Sequence, residues 1–219
     1  MARWSWQARL SLGFLSVFCA AMAAAVWSYS GGSWLHPHAT GHAFFENYWC
    51  DLLREPAHNG RPNTRSVALA TAGFVALGAA LCCFWREIAR LLPAGRGRFV
   101  RVAGPLSALA TALVALVPSD RFPVLHPPVV LTAGTLGFAC GCVGAEWALR
   151  RYREQPVWAR WSLLLVAAAT VNLVLYVRVA YLRASDTLVL PASQKLATLA
   201  LVAWMIAGLS AVSASRPKP

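Results

Sequence analysis

The chain has 219 residues, of which 58% are apolar and only 13% charged, with ten tryptophans. A soluble domain carries about a quarter charged residues, so this composition excludes an ordinary soluble enzyme, a disordered tail and a coiled coil, and points to a bilayer. The charge is one-sided, 20 Lys+Arg against 8 Asp+Glu for a net +12, which raises the question of whether the bases lie on one membrane face.

A hydrocarbon core about 30 Å thick needs roughly 20 helical residues to span it. Six long, nearly uncharged runs predict an all-α fold, a polytopic membrane helix bundle of six transmembrane helices forming a single membrane domain over 1–219. The first helix is expected at 10–29. Arg3 and Arg9 before it, with Ala20, Ala21 and Ala23 to Ala25 inside it, resemble a signal peptide. The run is longer than a signal core and ends in bulky Trp27 and Tyr29, so it reads as a retained helix.

The loop over 30–65 holds His36, His38, His42 and His58, four of the five histidines. Phe44, Phe45, Tyr48, Trp49, Leu52 and Leu53 recur at helical spacing. They predict a short amphipathic helix at about 42–54, with Glu46, Asn47, Cys50, Asp51 and Arg54 on its other face. The H-P-H-x3-H spacing at 36–42 suits a metal but is no signature, and these histidines read as loop residues without one.

The second and third helices are expected at 66–85 and 100–117, the third being the weakest run. The linker Pro118-Ser-Asp-Arg-Phe-Pro-Val-Leu-His126 then ties Asp120 and His126 near the same membrane surface as the first loop. The fourth helix, 127–149, carries Gly134, Gly137, Gly141 and Gly144 within one arc. That stripe reads as an internal packing seam, with a homodimer through it as the lesser option. Cys140-Gly-Cys142 reads as small packing residues, and Glu146 as the partner of Arg150 one turn on. The fifth helix, 158–182, holds Asn172 near the middle of its apolar run and Arg178 toward its end. The sixth, 194–215, opens with Gln194 and Lys195.

Alternate loops divide Lys and Arg thirteen to five. The basic side is expected to be cytoplasmic, with both termini inside and the first loop outside a cell membrane. Those arginines read as orientation and lipid contact rather than nucleic-acid binding, so the expected partners are membrane lipids. Eighteen Arg against two Lys suits a bacterium with a GC-rich genome. Only Cys50 lies in an external loop, so no disulfide framework is expected. G-x-S-x-G, H-E-x-x-H and G-x-x-x-x-G-K-[ST] are all absent, and nothing calls for a metal or a cofactor.

Topology puts Asn47, Asp51, Asp120, His126, Arg178, Gln194 and Lys195 in the outer half. These are the candidate ligand-binding residues. An ionisable group inside a span is costly, roughly 2.5–3.5 kcal/mol at the centre, which singles out Arg178. The leading expectation is a non-enzymatic protein binding a lipid headgroup or small amphiphile, with Arg178 or Lys195 pairing its acidic group. An intramembrane lipid hydrolase or transferase using Asp120 and His126 is the alternative, and a small-solute transporter the third.

Asn47-Tyr-Trp-Cys-Asp51-Leu52 before the second helix, Pro118-Ser-Asp120-x5-His126, and Gln194-Lys195-Leu at the last helix together resemble a known pattern. It is that of the uncharacterised six-helix membrane family catalogued as domain of unknown function 998. More loosely, the chain is similar to the Frag/DRAM/Sfk-type membrane proteins. The family's Ser-Asp-Leu or Ser-Glu-Leu is Cys50-Asp51-Leu52 here, and its Phe-Pro follows the Asp, at Phe122-Pro123. The resemblance implies a fold and a membrane location and brings no reaction.

Overall fold

The computed structural model describes residues 4–182 and 188–214. Within them the chain forms six long helices: α1 (Trp6–Ser28), α2 (Thr64–Leu91), α3 (Ala94–Val114), α4 (His126–Arg150), α5 (Pro156–Ala180) and α6 (Val189–Ala214). Consecutive helices pack side by side, and α6 returns to touch α2 and, at its margin, α1. Only Leu92 and Pro93 separate α2 from α3, so the two must run antiparallel. Loops 29–63 and 115–125 therefore share one end of the bundle. The basic turn at 151–155 and the start of α1 share the other. Arg3, Arg183, Arg216 and Lys218 of the charge count, and Ser215 of the last predicted helix, lie outside the described residues.

Five helices, all but α3, are long and apolar enough to cross a membrane. The protein is a helical, multi-pass membrane protein by that measure. Trp6 and the 92% exposed Trp27 stand out at opposite ends of α1. Their 21-residue separation is ~32 Å of helix, close to the hydrocarbon thickness, and Trp favours the two interfaces. Helix α3 starts with Arg96, Arg98 and Arg101 in its first turns, which lowers its apolarity. Even so, Phe99, Val102, Leu106, Leu109 and Leu113 are exposed along it at three- and four-residue spacing, a single apolar stripe.

Helix α2 runs on to Leu91, six residues past 85, and α3 starts at Ala94, six residues before 100; two further differences bear on the site. Helix α6 begins at Val189, five residues before 194, because Pro191 falls in the first turn, where a missing N–H costs nothing. Gln194 and Lys195 therefore sit in the second turn. The predicted helix at 42–54 is helical only as a 3-10 turn over Trp49–Leu53. Its expected apolar face divides: Leu52 and Leu53 are buried while Phe44 and Phe45 are exposed. The reason is local. The Asn47 side chain accepts from the Ala43 N–H at 2.8 Å, and Asp51 accepts from the Tyr48 N–H at 2.9 Å. These groups compete with helical bonding.

The half of the bundle nearer the termini is filled by aromatic rings. Trp204 lies 5.0 Å from Phe84, 5.8 Å from Trp85 and 5.9 Å from Trp158, centroid to centroid. Trp204 Nε1 donates to Ser162 Oγ at 2.8 Å, which satisfies the indole in the core. Such large rings need glycine opposite them. A Cβ on Gly104 would come within 2.5 Å of Trp85, and one on Gly208 within 2.9 Å of Trp158. At the rim, Glu146 pairs with Arg150 at 2.7 Å as its spacing predicts, and also with Arg96 across to α3 at 3.0 Å.

Candidate functional site

The first loop folds into a compact cap before it meets any helix. Gly32 adopts a left-handed φ of 81°, with the Pro37 carbonyl 2.6 Å from where a Cβ would stand, so only glycine fits. Its carbonyl then accepts from Tyr29 Oη at 3.2 Å and from Asn47 Nδ2 at 2.8 Å. Glu46 accepts from Ser33 Oγ at 2.6 Å and lies 3.0 Å from His36 Nδ1. Those two bonds hold its carboxyl below the usual range, the Ser33 hydroxyl contributing most. At the far end of the loop, Asn63 Nδ2 donates to the Arg54 carbonyl at 3.0 Å and Ser66 Oγ to the Leu52 carbonyl at 3.2 Å. These bonds tie the cap to the start of α2.

Asn47 and Asp51 form the buried centre of the cap. Asn47 is wholly buried and its Nδ2 also donates to Asp51 Oδ2 at 3.1 Å. Asp51 Oδ1 lies 3.1 Å from His58 Nε2. An ionised carboxylate only accepts, so this nitrogen carries the proton.

Two side chains of α6 fasten the cap. Lys195, 1% exposed, donates to the Asn47 carbonyl and, at 3.2 Å, to the Pro191 carbonyl. Its ammonium stands 5.2 Å from the centre of the Phe44 ring and 5.3 Å from that of Trp49, within range of attraction to both π faces. It makes no ion pair with a carboxylate among the described residues. Thr198 Oγ1 accepts from Trp49 Nε1 at 3.1 Å and donates to the Gln194 carbonyl at 2.8 Å. His42 stacks on Trp49 with centroids 6.3 Å apart and meets the edge of Tyr29 at 5.9 Å. Burial first, and then the Lys195 charge, lowers its pKa to about 4 against the pull of Asp51.

Beneath the cap lies a cavity of about 260 Å³ between α2, α3, α4, α5 and α6. Trp49 and Cys50 form its roof and Trp85 and Trp204 its floor. The walls are apolar apart from Ser107, Thr111, Asn172, Gln194 and Thr198, and no charged residue lines it. The glycines of α4 divide between two tasks. Gly137 faces Ser107 of α3 and Gly144 faces Trp204 of α6, each closely enough that a Cβ would crowd them. Gly134 and Gly141 line the cavity together with Gly137, and a Cβ on either of the first two would meet nothing within 4 Å. The seam is thus used inside the chain, partly for packing and partly to leave space.

The seven candidate residues therefore separate. Asn47, Asp51 and Lys195 meet at the cap, and Gln194 reaches the cavity. Asp120 accepts from the Glu55 N–H at 3.1 Å and joins the two loops. His126 Nδ1 donates to the Val117 carbonyl at 2.6 Å and closes the turn into α4. Among the described residues, no hydrogen bond links Asp51, Asp120 and His126 to one another. Arg178 is exposed, lines no part of the cavity and pairs with no described carboxylate. An off-centre arginine can run its long side chain to the interface, so it needs no buried partner. Tyr29, His42, His58, Trp49 and Thr198 were missed as site residues. Trp49 carried a signal, since an indole N–H in an apolar stretch needs an acceptor.

Compared with family profiles, curated proteins and solved structures, the chain matches none.

Proposed function

We propose that this is a non-enzymatic integral membrane protein that binds a lipid or small amphiphile in its outer half, between α2 and α6 and beneath the cap. In this reading α3 is the sixth span, its apolar stripe facing lipid and its arginines at the cytoplasmic rim. Both termini are cytoplasmic, and the cap lies outside.

The observation that carries the reading is the cavity itself. Protein interiors are packed like organic crystals, with few voids larger than a water. The space of about 260 Å³, partly open to the surroundings at exposed Gly134, is far larger than such a void. Of the three glycines on its wall, Gly134 and Gly141 leave space that larger side chains would take. Apolar walls with a few polar groups are the usual make-up of a small-molecule site.

The test uses full-length protein purified in mild detergent. Gly141→Leu extends a side chain into the cavity. Native mass spectrometry should find a retained small amphiphile on the wild type that is lost from this variant. Equal retention by both would overturn the cavity as the site.

A further inference from the structure

Resting on that reading, we infer that the occupant is a neutral amphiphile of about ten heavy atoms, bound with its hydroxyl or carbonyl end outward against Asn172 and Gln194.

Three observations lead there. The first is charge: no Asp, Glu, Lys, Arg or His lines the cavity. Lys195, 5.3 Å from the Trp49 ring of the roof, is already engaged by two carbonyls and two rings. An anionic or cationic headgroup inside would be a buried charge without a partner, which is strongly disfavoured.

The second is unused hydrogen-bonding capacity, concentrated at the outer end. Gln194 Oε1 is buried with no partner among the described residues. Ser193 Oγ lies 3.1 Å from Asn172 Oδ1, which sets α5 and α6 at the same level there. The Asn172 Nδ2 has no bond of its own among the described residues. Two carboxamides lining one cavity offer both a donor and an acceptor, the match for a group that can both give and take a hydrogen bond. At the floor the Trp85 indole N–H is also buried without a partner, and elsewhere the lining is apolar apart from Thr198, Ser107 and Thr111, whose hydroxyls already donate to backbone carbonyls.

The third is size. A dry engineered cavity of about 150 Å³ holds one benzene ring. By proportion, the cavity here, about 260 Å³, takes roughly ten heavy atoms. That suits a medium-chain alcohol or a small terpenoid or aromatic alcohol held within it.

Four ten-carbon probes isolate these claims: decan-1-ol, decane, decanoate and decyltrimethylammonium. Each is titrated into full-length protein in phosphatidylcholine nanodiscs, with binding read from displacement of a bromine-labelled decanol that quenches tryptophan fluorescence. Wild type should bind decan-1-ol roughly tenfold more tightly than decane, as one satisfied buried hydrogen bond implies, and the two ions more weakly still. The double variant Asn172→Leu/Gln194→Leu should bind decane and decan-1-ol equally. Gly141→Leu should lose all four. Equal affinity of wild type for decane and decan-1-ol, or a preference for either ion, overturns the inference while leaving the cavity as a site. Saturable quenching, displaceable by decan-1-ol, that is as large in Gly141→Leu as in wild type overturns the cavity reading itself.

Discussion

Lys195 of α6 donates its ammonium protons to the backbone carbonyl of Asn47, 148 residues earlier in the chain. A lysine near the start of a helix long and apolar enough to span a membrane has been turned under a loop and satisfied there by carbonyls and aromatic rings rather than by a carboxylate. The cap is thereby held on the bundle by a cation whose withdrawal leaves a buried carbonyl unpaired.

Replacing that lysine should release the cap. Lys195→Met keeps the length and removes the charge and donors, leaving the Asn47 carbonyl without its partner. A lost buried bond to a charged group costs about 1.5–3 kcal/mol, so undocking should become roughly ten- to a hundredfold more frequent. Limited proteolysis in detergent should cut between residues 33 and 46 correspondingly faster. Unchanged cleavage would mean that Thr198 and the loop's internal bonds hold the cap alone.

Cap docking should weaken in acid because of His42. Its pKa in the docked cap is about 4, against an ordinary 6.5. Below 6.5 the undocked loop binds a proton that the docked one refuses. Docking is therefore fully stable above 6.5, loses stability progressively down to about 4, and levels off below. The whole effect is at most ~3 kcal/mol. Hydrogen exchange of the loop amides, compared at fixed intrinsic exchange rate, should follow that window. His42→Phe should flatten the profile.

Gly104 should tolerate no side chain. The ring and Cβ of buried Trp85 already occupy the position of a Cβ there. Gly104→Ala should lower stability by about 1–3 kcal/mol through overpacking, seen as a lower thermal midpoint in detergent. Trp85→Leu in the same chain should recover part of that loss.

Arg178→Ala should leave stability within about 0.5 kcal/mol of wild type and leave retained amphiphile unchanged in native mass spectra. Loss of the bound species would return Arg178 to the site.

Orientation can be read by cysteine labelling in intact cells. Phe45, 60% exposed, belongs to the cap. Phe45→Cys should react with a membrane-impermeant maleimide, and Tyr152→Cys, at the other end of the bundle, should react only after lysis. Wild type should stay unlabelled despite Cys50, because burial and the neighbouring Asp51 charge push that thiol up to about 12, leaving almost no thiolate. The reverse pattern would invert the topology.

Much of the framework is written in composition. Long uncharged runs force helices, because backbone polar groups in lipid must be satisfied within the segment. The antiparallel course and the end to which each loop belongs then follow from the order of the runs. Glu146 with Arg150 was legible because a one-turn spacing is a local relationship. The segment 42–54 was misread as a helix because spacing does not reveal that Asn47 and Asp51 would bond backbone amides instead.

What the sequence alone determined, then, is an all-helical membrane protein with one long polar loop and a few ionisable residues near it. The tertiary structure decided which of those residues act together. It joined Lys195 to Asn47, sent Asp120 and His126 to fasten turns, and left Arg178 at the surface. It also made space beside Gly134 and Gly141, where a glycine stripe could equally have meant contact. The physical reason is that a side chain's partner across 148 residues, and the volume left between helices, depend on how the helices are rotated and seated. No local spacing carries that information.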